Sequence, residues 1–482
     1  MYVHLLYNSL HRLLTGENCY VARVTIDMLP DVALLEIFDS YVSEGWIDAW
    51  YTLVHVCRKW RNVVFGSPRR LDLRLYCVPR TPVRETLSVW PPLPIGVWAT
   101  GTEPWGMDNV FAALEHNNRI SHLDLADIPS SQMEKVLAAL QQPFPTLIFL
   151  ALSAKDETTL VDPVSFLGGS APDLETLSLE RISVPGLPKL LLSATHLVSL
   201  FLWSIPDSGY ISPEAMVTCL SMLTGLRSLV IEFESPRSRP DRKTRRPPPP
   251  TRTLLPVLAQ LSFRGVSEYL EDFVARFNAP LLDDWQITFF HQLMFDTPRL
   301  IQAIPRSPKY RAYDEARMTF SSQVVSVTLP QTSNKELNLE ISCRQPDWQL
   351  SSLVQVCRSS FPQVFIPAVE HLYILEQGPP QLLWQDDIEN SQWLELFNPF
   401  TAVKSLYISH DFTPRIVPAL QELVGEKTTE VLPALQTLFL EEPLPSGPVQ
   451  EAIEQFVAAR QLAGHPITVS LWERERDESD DG

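Results

Sequence analysis

Leu174-Glu175-Thr176-Leu177-Ser178-Leu179 sets three leucines in a Leu-x-x-Leu-x-Leu order, and that order returns along most of the chain. Upstream copies are Ile120, Leu123 and Leu125, then Leu147, Leu150 and Leu152. Downstream come Leu197, Leu200 and Leu202, then Leu226, Leu229 and Ile231, Leu258, Leu261 and Phe263, and Leu282, Trp285 and Ile287. Later copies are Val369, Leu372 and Ile374, then Val403, Leu406 and Ile408, and Leu435, Leu438 and Leu440. From Ile120 to Leu226 the copies recur every 23–29 residues, within the range that marks leucine-rich repeats, and an insertion precedes the copy at Leu258. Alternation at the end of each copy predicts a short strand with its leucines inward and the intervening residues outward. Amphipathic segments lie between the copies: Met133, Val136, Leu137 and Leu140; Met216, Val217, Leu220 and Leu223 after Pro213; Tyr269, Leu270, Phe273, Val274 and Phe277; and Ile453, Phe456 and Val457. One repeat cannot bury its own apolar face, so stacking must supply the core. The predicted fold class is α/β, an irregular leucine-rich-repeat solenoid with parallel strands on the concave side and helices on the convex side.

Between Ile287 and Val369 the pattern loosens. Val325, Val327 and Leu329 alternate, as do Leu337, Leu339 and Ile341, with the turn-like Pro330-Gln331-Thr332-Ser333-Asn334 between them, which reads as a hairpin. At the C-terminal side, Ile467, Val469 and Leu471 form a final strand before an acidic run over 473–482 that is expected to be disordered.

A second pattern opens with Leu29-Pro30-Asp31-Val32-Ala33-Leu34-Leu35-Glu36-Ile37-Phe38 and closes with Val56-Cys57-Arg58-Lys59-Trp60-Arg61. Pro30 suits a helix start because its missing N–H needs no partner there, and Asp31 adds charge of the favourable sign. Two further short helices follow, Ala49 to Val56 and Cys57 to Phe65, with Leu53, Val56, Trp60 and Val64 apolar. This segment resembles the F-box, the module by which substrate receptors join SCF-type ubiquitin ligases. Where many F-boxes carry a short Asp-Leu turn, this chain has Ser43-Glu44-Gly45-Trp46-Ile47-Asp48, and Ser67-Pro68-Arg69-Arg70 replaces the usual exit. Family-like segments continue at Ser67–Leu73, Trp90–Pro94, Asp347–Ser351, Gln392–Phe397 and Val469–Trp472, so most of the chain is similar to a large basidiomycete family of F-box proteins with irregular leucine-rich repeats. The resemblance implies contact with a Skp adaptor, and through it a cullin-based ligase, by Leu29, Pro30, Leu34, Leu35, Ile37, Phe38, Val56, Cys57 and Trp60. The alternative is a helical cap whose apolar face turns inward.

The expected organisation is a leader over 1–25, F-box-like helices over 26–75, an irregular linker or first repeat over 76–110, the solenoid over 111–472 and the tail over 473–482. A loop at 235–253 carries Arg242-Lys243-Thr244-Arg245-Arg246 and Pro247 to Pro250. It reads as a nuclear-import or acid-binding patch, as a polyproline ligand, or as a solvated insertion. Proline is unusually abundant, with 42 prolines against 17 glycines, which suits stiffened connections.

A net charge of −18 opposes nucleic acid as the main partner, since phosphate binding needs a continuous basic surface. The six cysteines stand without a C-x-x-C pair, which favours reduced thiols and a cytoplasmic or nuclear setting. No apolar run reaches the length of a membrane span. No nucleophile elbow, phosphate loop, H-E-x-x-H or zinc spacing is present, and no cofactor is expected. His55 and Cys57 lie two residues apart and cannot face each other on a helix. Asp386, Asp387 and Glu389 beside Trp393 fit the start of a helix better than a glycosidase pair. The expected function is that of a non-catalytic receptor whose outward strand positions hold a protein substrate. Candidates on that face are Phe201, Trp203, Glu232, Arg264, Tyr373, Tyr407, Phe439 and Glu441.

Overall fold

The structure is a computed structural model that describes residues 28–43, 49–66, 73–78, 82–101, 106–159, 166–240, 249, 251–295, 297–304, 314–330, 336–344, 346–359, 366–377, 390–423, 429–442 and 447–473. The leader, residues 241–248 and 250 of the basic proline-rich loop, the turn after Pro330, the Asp386/Asp387/Glu389 group and most of the acidic run lie outside those residues. The chain divides into two compact units, Met1–Leu75 with Thr86–Gly96, and Tyr76–Glu85 with Val97–Gly482.

In the first unit the expected helices form at Asp31–Ser43, Ala49–Val56 and Arg58–Gly66. Leu34 N donates to Pro30 O at 3.1 Å, so the proline carbonyl starts the first helix. Leu34, Phe38, Leu53, Val54, Val63 and Val64 are buried together, and the Phe38 ring stands 4.8 Å from that of Trp60. Lys59 Nζ donates to Leu29 O at 2.9 Å and Arg61 Nε to Val54 O at 3.0 Å, tying the ends of the short helices.

The strands are β1 (Leu73–Tyr76), β2 (Ile95–Thr100), β3 (Ile120–Ile128), β4 (Phe149–Thr159), β5 (Thr176–Ser183), β6 (Ser199–Ile205), β7 (Ser228–Phe233), β8 (Thr253–Leu254), β9 (Gln260–Gly265), β10 (Phe277–Asn278), β11 (Asp284–Phe290), β12 (Glu315–Phe320), β13 (Val324–Pro330), β14 (Glu336–Ser342), β15 (His371–Glu376), β16 (Ser405–Ile408), β17 (Thr437–Leu440) and β18 (Thr468–Leu471). The stretch 76–110, read as an irregular linker or first repeat, contains β2 and the helix Val83–Val89, and the helix Met107–Leu114 begins within it. From β3 the large sheet runs β3-β4-β5-β6-β7-β9-β11-β14-β13-β12-β15-β16-β17-β18, while β8 and β10 pair separately.

Each predicted copy lands in register with its neighbours. Leu123, Leu150, Leu177, Leu200, Leu229, Leu261, Trp285 and Leu337 form one row across the sheet, and Leu125, Leu152, Leu179, Leu202, Ile231, Phe263, Ile287 and Leu339 form the next. All are buried. At about 1.5–3 kcal/mol for each buried aliphatic side chain, these rows are the main stabilising term. At the strand entrances a backbone ladder joins the repeats: Ile148 N to Ser121 O, Glu175 N to Ile148 O, Val198 N to Glu175 O and Arg227 N to Val198 O, each 2.8 Å. This ladder satisfies backbone groups where no asparagine side chain is available. At the strand exits Asp127, Arg181 and Ser204 take φ of 54°, 55° and 46° at equivalent positions, and the pairing register slips beside them.

Between β11 and β15 the parallel order of the solenoid is interrupted. The reading of a hairpin is met by β13 and β14, which pair antiparallel, but an additional strand, β12, pairs antiparallel with β13 and parallel with β15. The chain leaves β11, crosses to β12, and only then returns through β13 to β14 beside β11. The helix Pro298–Ala303 lies on the crossing from β11 to β12 and the helix Pro346–Ser359 on the second crossing, from β14 to β15, packed over β13 and β14. Gln349 is fully buried and its Nε2 donates to Ser321 O at 2.8 Å and Cys343 O at 2.7 Å, clamping this second helix to the strand ends.

Candidate binding face

One face of the large sheet turns its leucine rows toward the helices, and the other presents residues that are half-buried to exposed, with Val230 an exception at 7% exposure. The pleat alone dictates this, because residues one apart along a strand point to opposite faces. A continuous row on the open face reads Asp124, Ala151, Ser178, Phe201, Val230, Ser262, Gln286, Asn338, Thr328, Arg317, Tyr373, Tyr407, Phe439 and Ser470.

The predicted face residues separate into two groups. Phe201 and Trp203 on β6, Glu232 on β7 and Arg264 on β9 are neighbours, since Glu232 pairs with Arg264 and Phe201 with Val230. The Phe201 and Trp203 rings stack at 6.2 Å. Arg264 lies over the Phe290 ring at 5.6 Å, and its buried Nε has no hydrogen-bond partner. Burial pushes the Glu232 carboxyl above its ordinary range, Arg264 opposes that rise, and Glu180 and Glu340 add to it.

Tyr373, Tyr407 and Phe439 gather on β15 to β17, with Glu441 just after β17, and here the candidate rings are stacked on one another. Tyr373 and Tyr407 stack at 4.1 Å and Tyr407 and Phe439 at 4.4 Å, so these rings occupy one another's faces. Trp472 meets Tyr407 and Tyr373 edge-on at 5.6 Å and 6.1 Å and closes the ridge. Arg317 lies over the Tyr373 ring at 5.8 Å and is paired with Glu315 at 2.6 Å. Burial, with Glu315 and Tyr407 nearby, pushes the Tyr373 phenol up. Glu441 accepts from His410 N at 3.0 Å and so caps a turn. Ring faces already in contact offer a partner less new area than an open ring does.

Sequence reasoning missed two other features of this face. A stacked ladder, Tyr76, Trp98, His122 and Phe149, runs at centroid spacings of 5.6, 6.4 and 6.0 Å. In the middle, Ser228 donates to Gln260 at 2.9 Å, Gln260 to Asp284 at 3.2 Å, Gln286 to Glu336 at 2.8 Å, Thr288 to Glu340 at 3.1 Å, and Asn338 to both Gln286 and Glu340 at 3.1 Å. The outward slots of β9 and β11 were readable from the repeat pattern, whereas β14 joins them only through the crossed topology. Burial raises the Asp284 carboxyl as well, against hydrogen bonds from Gln286 and Gln260 that lower it.

In the first unit, the proposed adaptor contacts fall on two sides. Leu34 and Phe38 lie inside the helices and Trp60 packs on Phe38, so none of these three forms a free contact row. Ile37 and Val56 are exposed at 39% and 54%, Pro30 is exposed, and Leu29, Leu35 and Cys57 are half-buried. Val32 and Tyr41, outside the set of proposed adaptor contacts, add exposed apolar surface at 69% and 37%. Cys57 Sγ accepts from Trp60 N at 3.4 Å within its own turn.

Burial pushes the Cys77 and Cys357 thiols up to about 12, which leaves them protonated and poor nucleophiles. Among the described residues no group of three or more His, Cys, Asp and Glu is arranged to hold a metal ion, and no helix is long and apolar enough to cross a membrane.

No family model matches the chain, and no curated protein matches it. Among solved structures it is similar to the leucine-rich repeat-containing protein LegL7 from Legionella pneumophila, at 12% identity and a TM-score of 0.29, over 83% of this chain and 99% of that one.

Proposed function

We propose that this chain is a non-catalytic receptor: a leucine-rich-repeat scaffold that holds a protein on the open face of its sheet, and the substrate-recognition subunit of an SCF-type ubiquitin ligase. The observation that carries the scaffold reading is the unbroken row of outward side chains crossing the large sheet from β3 to β18, with the Phe201 ring in it and the Trp203 ring two residues further along β6. Rigid aromatic side chains gain contact area at low entropy cost, which is why they dominate protein interfaces. The ligase half of the proposal rests on the resemblance of residues 29–61 to the F-box and on the exposed Ile37, Tyr41 and Val56. A receptor of this kind needs no cofactor, since its contribution is to bring a substrate near a conjugating enzyme. Its place is the cytoplasm or nucleus.

The test is co-purification of the full chain with a Skp adaptor, using Ile37→Asp combined with Val56→Asp. Both residues are exposed, so the double variant keeps its melting temperature while adaptor binding is lost. Adaptor binding at the wild-type level would overturn the ligase reading. The second reading, a helical cap, is favoured by the burial of Leu34 and Phe38. It predicts that Phe38→Asp lowers the melting temperature and that no adaptor binds the wild-type chain.

A further inference from the structure

The open face is not chemically uniform. At its β15–β18 end the rings are stacked on one another and sealed by Trp472, and at its β3–β4 end His122 and Phe149 belong to a continuous ladder. Phe201 and Trp203 differ: among the described residues the one ring stack recorded for either is with the other, and both stay half-buried on the open face. Beside them the carboxylates of Glu180, Glu232, Asp284, Glu336 and Glu340 stand on adjacent strands, with the guanidinium of Arg264 among them. Arg181 pairs with Glu180 at 3.2 Å at one margin. Asn338, Gln286, Gln260, Ser228, Ser153 and Thr288 donate to this region and supply no positive charge.

We infer that the part of the open face from β5 to β14 takes an extended, Lys/Arg-rich polypeptide segment with an apolar side chain anchored on Phe201 and Trp203. This inference rests on the reading of the open face as a protein-binding surface. Charge complementarity selects the occupant. Phosphate-bearing partners meet repulsion here, and an apolar partner would leave the carboxylates desolvated without a counter-charge. Glu232 already sits above its ordinary range because burial and its acidic neighbours disfavour its charge, and a cation placed beside it offsets the repulsion from those neighbours. Dimensions agree: four strand spacings from β6 to β14 come to about 19 Å, which about six extended residues cross at ~3.3 Å each. Guanidinium groups on alternate residues then fall about 6.6 Å apart, near enough to address successive carboxylates.

The experiment is selection of random peptides on the immobilised full chain, followed by anisotropy titration of labelled winners against wild type, Trp203→Ala, and Glu232→Gln combined with Glu340→Gln. The expected result is enrichment in Lys and Arg around one apolar residue, affinity about tenfold weaker in the Glu double variant, and a salt dependence that this variant flattens. Neutral or acidic winners that still depend on Trp203 would overturn the basic-segment inference and leave the binding-face reading intact. The absence of any Trp203-dependent winner would overturn both. A dimer in sedimentation that Trp203→Ala dissociates would assign the face to a second copy and overturn the inference as well.

Discussion

Glu271 provides a sharp test of how the crossing from β11 to β12 is held. It lies on the helix Ser267–Val274 and is 4% exposed, yet its carboxylate reaches a different element. Oε1 accepts from Leu300 N at 2.7 Å and Arg299 N at 3.0 Å, and Oε2 from Arg299 N at 3.1 Å. These amides open the helix Pro298–Ala303, whose own N-cap residue, Thr297, makes no side-chain cap bond. A six-residue helix has negligible stability alone, so this cap from a neighbouring helix decides whether it forms. Replacing Glu271 by Ala removes charge-assisted bonds worth about 1.5–3 kcal/mol and leaves two amide donors buried at about 1–3 kcal/mol each. The terms overlap, and relief of the buried charge offsets part of the loss, so about 3 kcal/mol is expected. Glu271→Gln keeps an acceptor oxygen and should lose about 1 kcal/mol. Native-state hydrogen exchange reads the effect locally, as loss of protection at the Arg299 and Leu300 amides, and urea unfolding reads it globally as a lower midpoint. Exchange at both amides as slow as in wild type, with an unmoved midpoint, would refute the long-range cap.

Trp472→Ala should uncover the ring ridge, lower stability by about 1–2 kcal/mol from its two edge-on contacts, and bring Tyr373 ionisation back toward the ordinary phenol range in a spectrophotometric titration. Gly101→Ala should destabilise by about 3 kcal/mol, because a Cβ there would stand 2.1 Å from the Asp127 carbonyl oxygen and backbone must move; a melting curve within a degree of wild type would contradict this. Glu232→Gln should raise the melting temperature at pH 7 and not at pH 4: a raised carboxyl helps the fold below its unfolded value of about 4.3 and loses that help as pH rises through its folded value, a loss that Gln escapes. At alkaline pH the sign is also negative. Tyr210 is pushed up to about 12 by burial and Tyr373 is raised too, so folding retains protons that the unfolded chain releases near pH 10, and stability should fall between about pH 10 and 12.

The short helices and the strand copies were legible because their residues carry local information. Leu123, Leu150, Leu177 and Leu200 repeat at strand spacing with polar neighbours, and burial of one face follows from that alternation alone. The face residues Phe201, Trp203, Glu232 and Arg264 were legible for the same reason, since outward slots are the complement of inward ones. Glu315-Ala316-Arg317-Met318-Thr319-Phe320 was not recognised as a strand, because it carries no Leu-x-x-Leu-x-Leu frame and its partners lie far along the chain. Nor could sequence show that Leu34 and Phe38 turn inward while Ile37 and Val56 stay outside, for a short amphipathic helix does not state which stripe meets its neighbours.

Sequence by itself determined the repeat, its inward rows, and the outward positions that make a face, because a period-two pleat converts residue order directly into sidedness. Only the tertiary structure decided which outward aromatics remain open. Whether Tyr407 presents a ring or spends it on Tyr373 and Phe439 depends on how closely successive strands bring their side chains, and whether Trp472 folds over them depends on where β18 ends. Those are contacts between residues distant in sequence, which strand pairing sets and local pattern does not encode.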